Sequence, residues 1–549
     1  MQVNPKSDSD GNGGIISCWQ DNRAGNYLYG QIYTQRLDSS GMSKWASNGI
    51  LLSSNQNKAE RPKIIADGNG GAFIAWVDHR YQIANGVNNE EADIFAQHID
   101  ASGNILWQQG GIAVDSNAKG KAHISLALDG LGGLFLAWDQ FNGTYDNQIY
   151  AQRVDSSGAV LWANPVAVSY GSSYAYEPQI ISDDCNGIIL TWYDNRYSNT
   201  DFIFAQRLND NGTKTWSAQD VRVAIGNKDQ MFSQIISSGS NGAIITWQDK
   251  RASSGINNDN DIYAQALDSN GVLMWLLPGE VAGNAGGIPV CTATQMQLYP
   301  KIISDKNGGA FISWIDRRNG VSEEGLYVQH LDNNGGSHFT NNGLFITDRL
   351  NGNASSVIYE NFSLPDLSFD VDSGLTIAWC ASYIDSGYEV LAQRVNAAGN
   401  FIWDSLGRVV STQIGNKLNA QLVASNNGKV ICIWQDMRAN DSLSTNDDTY
   451  ASIIPLNAQI DTSTSITGIK KSLETVFPNP VNSVLNIELQ GNNGKMAKLL
   501  LTNSLGAILK SEIFNGNKIK IPMQTMASGI YFLTIQTEEN IYYAKVIKQ

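Results

Sequence analysis

Apolar and polar positions recur along this chain in one fixed order, and residues 62–107 show the order complete. Pro62-Lys-Ile-Ile-Ala-Asp67 is a short apolar segment. Gly68-Asn-Gly-Gly71 follows as a turn, since glycine and asparagine accept positive φ. Ala72-Phe-Ile-Ala-Trp-Val77 is apolar without alternation, the pattern of a strand covered on both faces. Asp78-His-Arg80 ends it. Asp93-Ile-Phe-Ala-Gln-His-Ile99 reads as a third strand rich in β-formers. Asp100-Ala-Ser-Gly103 turns the chain, and Asn104-Ile-Leu-Trp107 is predicted to return antiparallel as a fourth.

All 14 tryptophans fall on two positions of this unit. The first series is Trp19, Trp76, Trp138, Trp192, Trp247, Trp314, Trp379 and Trp434. The second is Trp45, Trp107, Trp162, Trp216, Trp275 and Trp403, with Phe339 in the remaining slot. Such a period means a repeat architecture. From the glutamine of the third strand to the second aromatic is always ten residues, as in Gln97 to Trp107. A tight hairpin fixes register in this way. The preceding loop is elastic: Trp138 to Gln152 is 14 residues, Trp76 to Gln97 is 21. Length variation therefore collects on one rim, where loops carry function.

Eight units are visible, the last lacking its final hairpin strand. The expectation is an all-β chain: an about eight-bladed β-propeller over residues 1–457, its tryptophans packed between blades. An open β-solenoid is the runner-up. The region resembles a bacterial β-propeller repeat protein.

Composition narrows the function. The net charge of −15 opposes nucleic-acid binding, and no apolar stretch is long enough to span a membrane. Residues 470–549 hold nine lysines, no arginine and five glutamates, about +4; the other 28 basic and 47 acidic residues leave the repeats near −19. Five cysteines lack Cys-x-x-Cys spacing and are expected as unpaired thiols, not zinc ligands.

After Leu456 the repeat stops. Residues 458–470 read as a Ser/Thr-rich linker. A different pattern of short alternating strands then occupies 471–549, expected as a small immunoglobulin-like β-sandwich. It opens on Pro478, Asn479 and Pro480, carries Gly529 and Tyr531 in a Gly-x-Tyr motif, and ends on Lys545-Val-Ile-Lys548. The central turn Asn503-Ser-Leu-Gly506 departs from the usual Asp-x-x-Gly form. On these motifs the segment resembles the type A sorting domain of the type IX (Por) secretion system of Bacteroidetes. The resemblance implies recognition by that secretion machinery, and delivery of the cargo to the cell surface or the medium. Family cargo also carries a signal peptide, whereas Met-Gln-Val-Asn-Pro-Lys has no apolar core. The expectation is an N-terminus that is cleaved, truncated or wrongly started. A missing upstream segment would also supply the strand lacking in the eighth unit.

Candidate chemistry is weighed against the repeat, because a residue present in every unit is scaffold. Trp-x-Asp-x-Arg recurs with Asp21 and Arg23, Asp78 and Arg80, Asp194 and Arg196, Asp249 and Arg251, Asp316 and Arg318, Asp436 and Arg438. It is expected as a repeated arginine–carboxylate tie, with Asp93, Asp201 or Asp261 on the next strand nearby. His98 and His330 replace the arginine after the strand glutamine and read as scaffold variants. The oxygen-rich loops 257–261, 88–91 and 446–448 have ligands of the kind calcium takes, but none follows an EF-hand pattern, and they are expected as solvated acidic loop tips; no cofactor is predicted.

In the hairpins, as at Asp100-Ala-Ser-Gly103, glycine stands three residues after aspartate, whereas the sialidase Asp-box places it two after, and no Gly-x-Ser-x-Gly motif occurs, so the chain is not expected to be an enzyme. The breaks in the repeat carry the site: Phe141 and Tyr145 in the third unit, Tyr383 and Tyr388 in the seventh. Exposed aromatics there are the expected contacts for a glycan or protein ligand. The alternatives are a secreted propeller glycosidase or lyase, and a structural surface component.

Overall fold

In the computed structural model the chain forms two compact units, Met1–Asn457 and Ala458–Gln549. The structure describes residues 2–549 outside 24–29, 55–57, 81–91, 118, 144–145, 172–173, 198–199, 254–258, 282–284, 321–323, 349, 351–363, 370–373, 384–386, 404–406, 412–415, 426–427, 437–447, 457–468, 473–475, 490–495, 504–507, 525 and 538–539. Every regular element among the described residues is a strand. None is a helix long and apolar enough to cross a membrane.

Seven four-stranded antiparallel sheets and one three-stranded sheet succeed one another in the first unit. The fourth sheet is typical: Ala175–Ser182, Ile188–Asp194, Phe202–Leu208 and Val221–Arg222 pair in chain order. Its second strand is buried along its length except at Tyr193, which explains the unbroken apolar run. Ile188, Leu190 and Trp192 pack with Phe135 and Ile149 of the preceding sheet. The alternate residue Ile189 packs with Ile245 and Trp247 of the following one. Each sheet thus contributes one face to each of two cores, and face-to-face packing of this kind is propeller-like.

The last sheet returns to the first. Ile15 shares a core with Val423, Ile431 and Ile433. Ser425 Oγ donates to the Gly13 carbonyl at 2.9 Å, and the Thr449 amide donates to Gln2 Oε1 at 3.0 Å.

The fourth strand lies later than the pattern predicts. Residues 104–107 make only the bridge Ile99–Ile105, and the paired strand is Ile112–Asp115. Trp107 instead leaves its own sheet and donates its indole N–H to the Ser156 carbonyl of the next hairpin at 3.0 Å. Trp45, Trp162, Trp216 and Trp275 make the same bond to the following repeat at 2.9–3.2 Å. The ten-residue spacing has its cause here as well. The third-strand glutamine accepts the N–H of the second aromatic, as in Gln97 Oε1 with Trp107 at 3.1 Å and Gln329 with Phe339 at 2.9 Å.

In the second unit, a five-stranded sheet and a three-stranded sheet enclose one core. Leu485 and Ile487 from the smaller sheet meet Leu499, Leu501, Leu533 and Ile535 from the larger. The opening and closing motifs join. Asn479 Oδ1 accepts the Ile547 amide at 2.8 Å, and the Val481 amide donates to the Ile547 carbonyl at 2.7 Å. Pro478, Asn479 and Pro480 are exposed beside the terminal strand Asn540–Lys548, which carries Lys545 and Lys548. Tyr531 is buried and donates its hydroxyl to the Ala527 carbonyl at 2.6 Å, two residues before Gly529.

Candidate functional site

The rim signature is scaffold. In six repeats the first-series indole N–H donates to the aspartate two residues on, at 2.8–3.0 Å. Where it is described, the arginine pairs with that same aspartate. Its guanidinium lies 3.6–3.9 Å from the centre of an aromatic ring on the third strand, such as Phe95 or Tyr263. Cation–π stacking and a buried ion pair together fix it. Arg438 lies outside the described residues. His98 and His330 pair with Asp67 and Asp305 at 2.9 and 3.0 Å, where Arg36, Arg153 and Arg207 pair with the equivalent aspartates of their own units.

Burial lifts Asp93 and Asp201 to about 6 and Asp261 to about 7. Neighbouring carboxylates add to this: Asp115 for Asp93, Asp229 for Asp201, Asp249 for Asp261.

A second ring of positions lies on the innermost strands. In seven sheets the first strand slips register opposite the first-series tryptophan, so two residues face one. This is a β-bulge, which re-aims side chains. Its first residue is left-handed in every case, at φ between +49° and +57°: Asn4, Arg61, His123, Glu177, Phe232, Tyr299 and Asn419. A side chain other than glycine costs about 1–3 kcal/mol there. The backbone is repeated but the residue is not: amide, cation, imidazole, carboxylate and aromatic all occur. This variation on a repeated backbone makes the ring the candidate site.

These residues converge. Asn4, Arg61 and Asn419 line one cavity of about 200 Å³ together with Leu364, Lys6, Lys63, Lys301 and Asp366, so the first, second, sixth, seventh and eighth sheets all border it. On the third, fourth and fifth sheets the bulge residue is His123, Glu177 or Phe232. Phe232 meets Tyr299 edge-on at 5.1 Å and Tyr193 at 6.2 Å, and Tyr193 meets Tyr176 at 5.9 Å. Burial pushes Tyr176 up to about 12, with Tyr174, Asp139 and Asp201 adding. Burial, then Glu177 and Asp201, raises Tyr193 further. His123 Nδ1 sits 2.9 Å from Asp139 Oδ1.

Of the expected contact residues, Phe141 is 47% exposed at the end of its strand. Tyr145 lies outside the described residues. Tyr383 and Tyr388 belong to paired strands, with Tyr383 opposite Gly387 and Ser382 opposite Tyr388, and their side chains lie outside the described set. Among the described residues no group of three or more His, Cys, Asp or Glu side chains is placed to hold a metal. The inner ring was missed because the tryptophans dominate the pattern. Its signal is a varying residue before a recurrent proline: Asn4-Pro5, Arg61-Pro62, Glu177-Pro178, Tyr299-Pro300 and Leu364-Pro365.

Residues 475–549 match the secretion system C-terminal sorting domain family. The carboxy-terminal unit is a secretion sorting domain. It implies delivery to the cell surface or the extracellular space through the type IX machinery. No curated protein sequence matches the chain. Among solved structures it is similar to a protein of unknown function from Dyadobacter fermentans, at 10% identity over 73% of this chain and 95% of that one, with a TM-score of 0.37. An endo-arabinase from Bacteroides thetaiotaomicron shares 12% identity over 52% of this chain and 94% of its own, TM-score 0.28. A thermostable family-43 glycoside hydrolase shares 10% over 61% and 89%, TM-score 0.27. These findings correct the expectation that the chain is not an enzyme: glycoside-cleaving proteins stand among the structures it is similar to. Spacing across repeats cannot assign paired catalytic carboxylates, which is why the sequence reading set catalysis aside.

Proposed function

We propose that the chain is a secreted, glycan-active protein: an eight-bladed propeller on residues 1–457, joined by a linker at 458–470 to an immunoglobulin-like sorting domain on 471–549. The proposed reaction is hydrolysis of a glycosidic bond at the inner ring. One observation carries this reading. Tyr193 packs with Tyr176 and Phe232 as an aromatic wall, and the same sheet carries Glu177 on the bulge of its first strand and Asp201 directly before its third. Aromatic faces stack on sugar rings, and hydrolysis needs an acid and a base or nucleophile beside the scissile bond. Asp201, held at about 6 chiefly by burial, is suited to donate the proton. Glu177, on the bulge, is assigned the carboxylate role. Phe141, Tyr145, Tyr383 and Tyr388 on the variable rim are assigned as outer contacts for the glycan chain.

The test is reducing-sugar release from a panel of plant and bacterial polysaccharides. Glu177→Gln and Asp201→Asn should each lower kcat by about 10²-fold or more, with the melting temperature little changed. Full activity in both variants would overturn the assignment of these residues. Binding without product formation by the native chain would leave a binding protein at the same site.

A further inference from the structure

The cavity bordered by the first, second, sixth, seventh and eighth sheets has a charge opposite to that of the molecule. Lys6, Arg61, Lys63 and Lys301 line it. Among the described residues, Asp366 is the only carboxylate that lines it, and it already accepts the Leu422 amide at 2.8 Å. The cations come from three separate sheets, so no local turn or strand pairing requires them together. Lys6, Lys63 and Lys301 each stand two residues past the left-handed position of their bulge. The same step is Gln179, Gln234 and Gln421 in other repeats, so the fold does not need a lysine there. In a chain of net charge −15, an anionic polymer is repelled by most of the surface and is met favourably here.

The geometry points to an acidic glycan as the ligand: a chain whose sugars carry carboxylate or sulfate groups, one of which is held in this cavity by Lys63, Lys301 and Arg61. This deepens the glycan-active reading and rests on it for the sugar part of the ligand. The arginine fork and the lysine ammonium groups recognise such oxyanions through charge-assisted hydrogen bonds. Acidic glycans should therefore bind more weakly as salt rises, over a range where neutral glycans are unaffected.

Binding is measured with the full chain against polygalacturonate, a sulfated galactan and neutral arabinan, at low and high salt. The expected result is binding of one or both polyanions, weakened by salt. Lys301→Gln should weaken it about tenfold and Lys63→Gln/Lys301→Gln further, with melting temperatures within a few degrees of native. Preference for polygalacturonate assigns a carboxylate, and preference for the galactan a sulfate. If neutral arabinan alone is bound or cleaved, the acidic-glycan inference falls and the glycan-active reading stands. If no glycan is bound or cleaved, the glycan-active reading falls and takes this inference with it. Polyanion binding that survives the double substitution unchanged would place the site elsewhere and overturn the inference.

Discussion

At the scale of single residues, the same turn meets two environments. Gly103 has φ +88°, and a Cβ there would lie 2.8 Å from the Trp45 ring and from Ile50. Gly41, at φ +81°, occupies the matching place in the first hairpin, where the nearest atom is Ile453 at 3.9 Å. Gly41→Ala should therefore cost about 1–2 kcal/mol, the backbone strain alone. Gly103→Ala adds overpacking of about 1–3 kcal/mol. Urea titration of both variants measures the difference, and equal losses would show that the tryptophan contact is without weight. Asp261 gives a pH signature. It is buried, its Oδ2 finds no hydrogen-bond partner among the described residues, and burial raises it to about 7. A carboxyl raised in the folded state favours folding below its unfolded value near 4, and that contribution is lost as pH climbs through about 7. Asp261→Asn should thus raise the melting temperature at pH 8 and leave it nearly unchanged at pH 4. Thermal scans at the two pH values check this.

At the scale of elements, the second strand of each sheet bears the weight of two interfaces. Trp192 is fully buried and shares a core with Phe135 of the preceding sheet and Phe204 of its own. Trp192→Ala should cost about 3–5 kcal/mol; a native midpoint in denaturant would contradict the packing described here. These strands were legible in the sequence because burial on both faces writes itself as an unbroken apolar run. The hairpins were legible because one glutamine side chain fixes a constant spacing. The position of the fourth strand was not, since Trp107 leaves its own sheet for a carbonyl in the next repeat, and a partner in another repeat leaves no local periodicity. The inner ring was hidden for a related reason. A two-for-one bulge breaks strand alternation at the very residues that differ between repeats, and variation within a repeat reads first as tolerance.

At the scale of the molecule, the two units differ in pattern, core and charge, and each encloses its own apolar interior. Removal of residues 458–549 is expected to leave the first unit folded, since no core residue of the eight sheets lies in the deleted segment. Given a working signal peptide, that truncated chain should accumulate without reaching the cell surface. Fractionation and surface proteolysis test this, and surface arrival would contradict the sorting assignment.

The meeting of the last sheet with the first has a mechanical consequence. The third strand of the eighth sheet, Asp448–Pro455, is the regular element nearest the sorting unit in sequence, and it pairs with Lys429–Asp436 in antiparallel register, Pro455 against Lys429. Tension applied through the tail enters at Pro455, at one end of that ladder. A load directed away from the sheet falls on one hydrogen-bonded pair at a time, and the strands then unzip rather than shear. Among the described residues this sheet has three strands where the other seven have four, so its rupture exposes the side of the first sheet held by Gln2 and Gly13. Such a pull would part the last sheet from the first and leave the other seven sheets stacked. In a force spectrometer this would register as a small early extension ahead of the main unfolding event.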